Sequence, residues 1–305
     1  MVVPSVMSVV MMSLDVVFNF FLIFPTRPVE LFGTQIMMPG MGMGVMGAAI
    51  GTVSAELVAA SITMYILCFR SKELSLRIDT GRFLPTWGVV KRALHISLPM
   101  GLQQTIMCSA YVMTTIIIAP LGTFAIAANS FGIIIESLCY MPGYGIADAA
   151  TTLVGQSMGA GRHELMKRFA WLSVGLGVTV MAVMGVVMYV GAPTAMAMMT
   201  SAEEVRRLGV EVLRIEAFAE PMFAAAIVSY GVFVGAAKTL VPSIMNLVSI
   251  WGVRISLAAM LAPSMGLRGV WIAMCIELCF RGLIFLVKLK FWNIQTSCKH
   301  YGKDQ

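Results

Sequence analysis

The chain has 305 residues, of which 59% are hydrophobic and 12% charged, with a formal net charge of +6 and a mean hydropathy of +0.88. Soluble domains carry roughly 25% charged residues, so this much apolar material has no way to face water and lipid must be its solvent. The positive balance does not imply nucleic acid, because the basic residues fall between apolar blocks, where membrane topology uses them.

In chain order, eight blocks supply the ~20 mainly apolar residues that a helix needs to cross a ~30 Å hydrocarbon core. They lie near residues 3–24, 42–68, 96–119, 123–157, 168–192, 208–236, 239–262 and 267–290. Alternating segments of about ten residues, the mark of a β-barrel, do not occur, so the expected class is an all-α integral membrane fold with eight transmembrane helices. The first block has neither the basic flank nor the cleavage site of a secretory signal.

Charge sets the orientation. Arg70, Lys72, Arg77, Arg82, Lys91 and Arg92 fall between blocks two and three, and Arg162, Lys167 and Arg168 between four and five. Lys238 separates six and seven, and Lys288, Lys290, Lys299 and Lys303 end the chain. These fourteen face only Arg27, Arg206, Arg207 and Arg268 in the alternate connections. Basic residues collect on the cytoplasmic side, so both termini are expected there, in a multi-pass protein of the cell (inner) membrane. The one long connection, 70–95, mixes Leu, Phe and Trp with basic residues; it reads as an amphipathic stretch on the membrane surface or a solvated linker.

The chain also carries a weak internal repeat. Block one begins PSVM at Pro4 and block seven PSIM at Pro242; Gly44, Gly47 and Ile50 recur at constant offset as Gly266, Gly269 and Ile272, each set followed by an acid, Glu56 or Glu277. Similar hairpins of the same orientation imply parallel repeats about an axis along the membrane normal, as in many transporters. A complete repeat needs a six-helix first half, of which two helices are represented.

Four stretches then carry a family resemblance. GIADAATTLVGQSMGAGR (145–162), EPMFAAAIVSYGVFVGAAKTLVPS (220–243), GLRGVWIAMCIELCFR (266–281) and FNFFLIF followed by GVMGAAIGT resemble helices eight, ten, twelve, and five with six of the multidrug and toxic-compound extrusion (MATE) family. The resemblance spans nearly the whole chain and is specific in combination. It implies a two-lobe bundle of which helices five to twelve are present and the first four are not. Residues 1–69 would be the last two helices of the N-terminal lobe, 70–95 a cytoplasmic inter-lobe linker, 96–292 a six-helix C-terminal lobe and 293–305 a cytoplasmic tail. The implied activity is export of drugs or small organic cations by alternating access, driven by transported Na+ or H+, with membrane lipids as the surroundings and no other cofactor.

Acids in mid-membrane cost ~2.5–3.5 kcal/mol or more, so each needs a reason. Asp15 lies twelve residues, about 18 Å, from the cytoplasmic end of its span, with Asn19 one turn on. By the resemblance, Asp15, Asn19 and Thr52 occupy the first lobe's cation-coupling positions, although Asp and Asn are interchanged relative to some members. The family's helix-one Asp falls outside this sequence. Glu56, at matching depth on the next helix, could share a proton with Asp15. Glu136, the most central acid of the second lobe, is the candidate substrate or proton contact, against pairing with Arg254 or Arg281. Met107 and Phe223 stand near positions where some bacterial members carry acids, so that cation site is not carried over. Glu277 and Arg281 read as an ion pair within one helix, Glu216 and Glu220 as solvating a mouth, and Glu211 as pairing with Arg207 or Arg214.

Cys68, Cys108, Cys139, Cys275, Cys279 and Cys298 form no CxxC pair, and His95, His163 and His300 are scattered, so no metal site is expected. Pro142-Gly143-Tyr144-Gly145 is the expected flexible point, and the Gly pairs 47/51, 155/159 and 231/235 are expected helix contacts. Some of the 27 Met could line an adaptable cavity. A lipid-linked sugar flippase of the same superfamily and a non-transporting fragment are the alternative readings. An intramembrane enzyme would need a motif such as DDxxD or HExxH, and neither occurs.

Overall fold

The computed structural model describes residues 2–31, 34–70 and 86–292. The central part of the expected linker, 71–85, and the tail 293–305 lie outside the described residues. The chain divides into two units, Met1–Pro85 and Thr86–Gln305. Among the described residues seven helical stretches are long and apolar enough to cross a membrane, and a bent pair makes an eighth. In hydrocarbon every backbone N–H and C=O must be satisfied within the chain, which is why these blocks become helices.

In the first unit α1 (Val2–Ile23) packs against α2 (Gly44–Tyr65), which continues as a wide π-turn over Ile66–Arg70. The buried residues of α2 are Gly47, Gly51, Ala55 and Ala59, one per turn, so a stripe without bulk lets the backbones approach. A Cβ on Gly47 would overlap the Leu22 carbonyl. Between the helices lies an antiparallel hairpin, β1 (Pro25–Leu31) and β2 (Thr34–Met41), where only a loop was expected. Both strands of a two-stranded ribbon are edges, so Pro25, Pro28 and Pro39 are tolerated there and do not veto pairing.

The second unit holds α3 (Trp87–Ile118), α4 (Thr123–Gly159), α5 (His163–Met199), α6 (Glu203–Glu216), α7 (Glu220–Gly235), α8 (Leu240–Leu247), α9 (Ser256–Met265) and α10 (Leu267–Lys290). Helix α3 starts at Trp87, ahead of the apolar block at 96. One expected span, 208–236, is instead the pair α6 and α7, bent by 59°. Pro221 stands in the first turn of α7, where its missing N–H is tolerated, and marks the restart. Pro142 does not break α4.

Helices α4, α5 and α7 close one core around Ala150, Val154, Val174, Met181 and Val228. The α4–α7 crossing depends on Gly231 and Gly235: a Cβ on Gly231 would sit 2.6 Å from the Ala147 carbonyl oxygen. Thr151 Oγ1 donates across it to Gly231 O at 2.8 Å. Gly155 meets Gly235 at the same crossing, whereas Gly159 faces open space, so that expected pair is only half a contact. Outward, Leu172, Leu176, Val183, Val186 and Val190 of α5 are all more than half exposed, a face fit for lipid.

Candidate functional site

A cavity of about 310 Å³ opens inside the second unit. Helix α4 supplies one wall with Asn129, Ile133, Glu136, Tyr140 and Tyr144, spaced four, three, four and four apart so that they share a face. Helix α3 adds Met107 and Tyr111, α7 adds Phe223 and Tyr230, and α10 adds Trp271, Met274 and Arg281. Trp271 Nε1 donates to Asn129 Oδ1 at 3.1 Å, fixing the indole. Tyr230 Oη, at 3.0 Å, and Ser243 Oγ both donate to Gln103 Oε1, joining α7 and α8 to α3. Six aromatic side chains thus stand in the cavity wall beside amide and charged groups, a mixture that suits a small-molecule site.

Its charges are asymmetric. Arg254 and Arg281 both line the cavity, and both turn their Nε toward Glu277, at 3.3 and 3.1 Å. Glu277 is fully buried and also accepts from Ser249 Oγ at 2.7 Å. The Glu277–Arg281 pair expected on one helix is present, but Arg254 makes it a triad. Ser249 and Arg254 reach one carboxylate because Val248–Ile255 is π-helical. On an α-helix, residues five apart point about 140° from each other; i→i+5 bonding stacks them. Glu136 makes no ion pair among the described residues.

Glu216 and Glu220 flank the bend, last residue of α6 and first of α7. Rather than solvating a mouth, both are 1% exposed, and among the described residues no hydrogen bond reaches either carboxylate. Glu220 stands at the helix N-terminus, where the backbone dipole favours an acid. Glu211 pairs with Arg268 at 2.6 Å rather than with Arg207 or Arg214. Among the described residues, no group of three or more His, Cys, Asp or Glu is placed to hold a metal ion.

In the first unit Asp15 and Asn19 are half-buried, and each has an enclosed Oδ1 with no hydrogen-bond partner among the described residues. A Cβ on Gly51 would meet Asn19 Oδ1 at 2.5 Å, so Asn19 lies on the α2 seam. Thr52 follows that glycine and is exposed, as is Glu56 one turn on. The structure therefore brings Asn19 to the α2 turn that carries Thr52, while Glu56 lies off the buried stripe. Two oxygen acceptors one turn apart, to which no described residue donates, have the chemistry to take a proton or a hard cation.

The two repeat hairpins share one packing device. Gly269, like its counterpart Gly47, closes on a carbonyl of the preceding helix, here Leu261 O at 2.5 Å from the added Cβ. Their acids part company: Glu277 is ion-paired and Glu56 exposed.

Fold and cavity together define a polytopic α-helical membrane protein with a ligand-sized, charged and aromatic chamber inside its second unit. The family follows from sequence: the MatE family model matches residues 99–260, and the chain belongs to that family. A probable multidrug resistance protein NorM of Thermotoga maritima is 29% identical over 250 residues, covering 80% of this chain and 53% of the relative. A MOP superfamily transporter from Pyrococcus furiosus, described as having a binding pocket of reverse polarity, superposes with a TM-score of 0.80 at 19% identity, over 93% of this chain and 61% of that one. The Vibrio cholerae MATE transporter VcmN in its bent form gives 0.77 at 18%, over 94% and 61%. The chain thus spans about half to three-fifths of the length of these relatives.

Proposed function

We propose that this chain forms the drug-binding part of a cation-coupled antiporter that exports drugs or small organic cations by alternating access. The observation that carries the reading is Glu136: a buried acid with no ion-pair partner among the described residues, in the wall of an aromatic cavity. Organic cations are held by a carboxylate and by ring faces together, and both are present. In the first unit Asp15, Asn19 and Thr52 take the coupling ion, Na+ or H+, with Glu56 as an accessory proton site. We read residues 1–69 as two helices of one lobe, 70–95 as the cytoplasmic linker, 96–292 as the other lobe and 293–305 as a cytoplasmic tail. Both termini then face the cytoplasm of a cell whose inner membrane holds the protein.

The test is equilibrium binding of radiolabelled tetraphenylphosphonium to the purified chain, followed by dye efflux from proteoliposomes under an imposed Na+ or pH gradient. Glu136→Gln should weaken binding about tenfold, the loss of one charge-assisted contact. Unchanged binding in the variant removes Glu136 and the cavity from the mechanism.

A further inference from the structure

We propose that Cys275 and Cys279 form a dithiol site for a trivalent organoarsenical, the arsenic bridging the two sulfurs and its organic group lying in the groove beside them. The site stands apart from the cavity described above and does not depend on what that cavity binds.

The two cysteines stand one turn apart on α10, and their thiols lie within hydrogen-bonding reach of each other. Both are free and half-buried. Geometry bars them from a disulfide. Side chains four apart on a helix have Cβ atoms about 5–6 Å apart, whereas a disulfide needs about 3.5–4.5 Å. Closing an S–S bond would require α10 to unwind at a turn pinned by Glu277 and Leu278, both buried. One bridging atom between the sulfurs makes up the difference. Trivalent arsenic supplies it: it is pyramidal, takes two sulfurs on one side and keeps a third bond for carbon. A metal ion seeking more ligands is not served, because among the described residues no group of three or more His, Cys, Asp or Glu is placed to hold one.

The neighbouring surface suits the carbon group. A groove of about 350 Å³ between α5, the α6–α7 bend and α10 has Cys275 in its wall, beside Tyr189, Phe218, Ile272 and Ile276. Phe218 meets the Tyr189 ring edge-on, with centroids 5.7 Å apart. Phe218 is 71% and Ile276 46% exposed, so the groove opens outward, where a lipophilic arsenical dissolved in the bilayer can enter. An aryl ring fits such an aromatic and aliphatic wall. The condensation balances without an oxidant. An arylarsonous acid, Ar–As(OH)2, forms two As–S bonds and loses two As–O bonds, and each thiol proton leaves on a departing hydroxyl as water. Arsenic stays trivalent throughout.

The experiment treats the purified, reduced chain in detergent with phenylarsonous acid and reads its intact mass after a wash with excess 2-mercaptoethanol. One arsenic per chain should survive the monothiol and be released by 2,3-dimercaptopropanol, because a ligand held by two linked bonds leaves far more slowly than one held singly. Cys275→Ser and Cys279→Ser should each cut retention about 100-fold, whereas Cys108→Ser should leave it unchanged. Methylarsonous acid, which keeps the arsenic and lacks the ring, should be retained about tenfold less. If the serine variants fail to fold, alkylation of the unmodified chain by N-ethylmaleimide decides, since the arsenical should protect Cys275 and Cys279 together. Loss of all arsenic to the monothiol, unchanged retention in either folded serine variant, or free alkylation of both thiols overturns the site. Equal retention of the methyl compound overturns the groove as the seat of the ring.

Discussion

Ser249 and Arg254 lie five residues apart on one span and reach the same carboxylate, that of Glu277 on α10. An unbroken α-helix would turn one of them away. The π-helical stretch Val248–Ile255 is therefore what assembles the triad. Inserting an alanine after Gly252, beside which no atom of the described residues stands within 4 Å of an added Cβ, puts Ser249 and Arg254 six positions apart, one beyond the i→i+5 repeat and about 120° apart on an α-helix, so they should no longer reach one carboxylate. The expected result is a fall in the thermal unfolding midpoint on the order of 10 °C, from about 3–5 kcal/mol lost at roughly 2–4 °C per kcal/mol. Scanning fluorimetry in detergent measures it, and an unchanged midpoint would mean that the wide turn has no part in holding the triad.

Glu277 offers a second check on the same network. Glu277→Gln leaves two guanidiniums without their counter-charge in a buried site, at a cost of about 3–5 kcal/mol. Glu211→Gln, at the partly exposed pair with Arg268, should cost less than about 1 kcal/mol. Midpoints of the two variants, recorded side by side, should differ by several degrees in that order.

Small residues at the crossings give a third. Gly231→Ala puts a Cβ 2.6 Å from a backbone oxygen of α4, where no flexible side chain can give way, whereas Gly159→Ala enters open space. The first should destabilise by about 1–3 kcal/mol and the second should leave the midpoint unchanged or raise it slightly, since alanine is the better helix former. Equal effects would mean that the crossing tolerates widening.

The spans were legible in the sequence because lipid imposes a length and a composition on each helix. The Gly47/Gly51 and Gly231/Gly235 contacts were legible for a related reason: close helix approach leaves little choice of residue. The bend between Glu216 and Glu220 was not, since Pro221 sits in an otherwise continuous apolar block and can equally begin a turn or kink a helix. Hydropathy read the acids beside it as outward-facing, but the bend turns them into the interior. Glu277–Arg281 could be read from i,i+4 spacing. Arg254 could not be assigned to the pair, because its contact depends on a π-turn and crosses between spans. The α4 face from Asn129 to Tyr144 carries a readable signal in its polar and aromatic spacing, four, three, four and four residues, of which Glu136 is one member.

The last prediction concerns the first unit. Asp15 and Asn19 each hold an enclosed oxygen to which no described residue donates, and Gly51 is what lets Asn19 sit on the α2 seam. If these oxygens take the coupling ion, the geometry of Asn19 matters as much as the charge of Asp15. Asp15→Asn should abolish gradient-driven dye efflux from proteoliposomes, by more than about tenfold, the worth of one lost charge-assisted contact. Gly51→Ala keeps every candidate ligand atom, yet its methyl group displaces the Asn19 amide from 2.5 Å. Coupled efflux should therefore fall in that variant while tetraphenylphosphonium binding in the second unit is retained. Should Gly51→Ala fold with full coupled efflux, Asn19 Oδ1 is no ligand and its position on the seam serves packing alone.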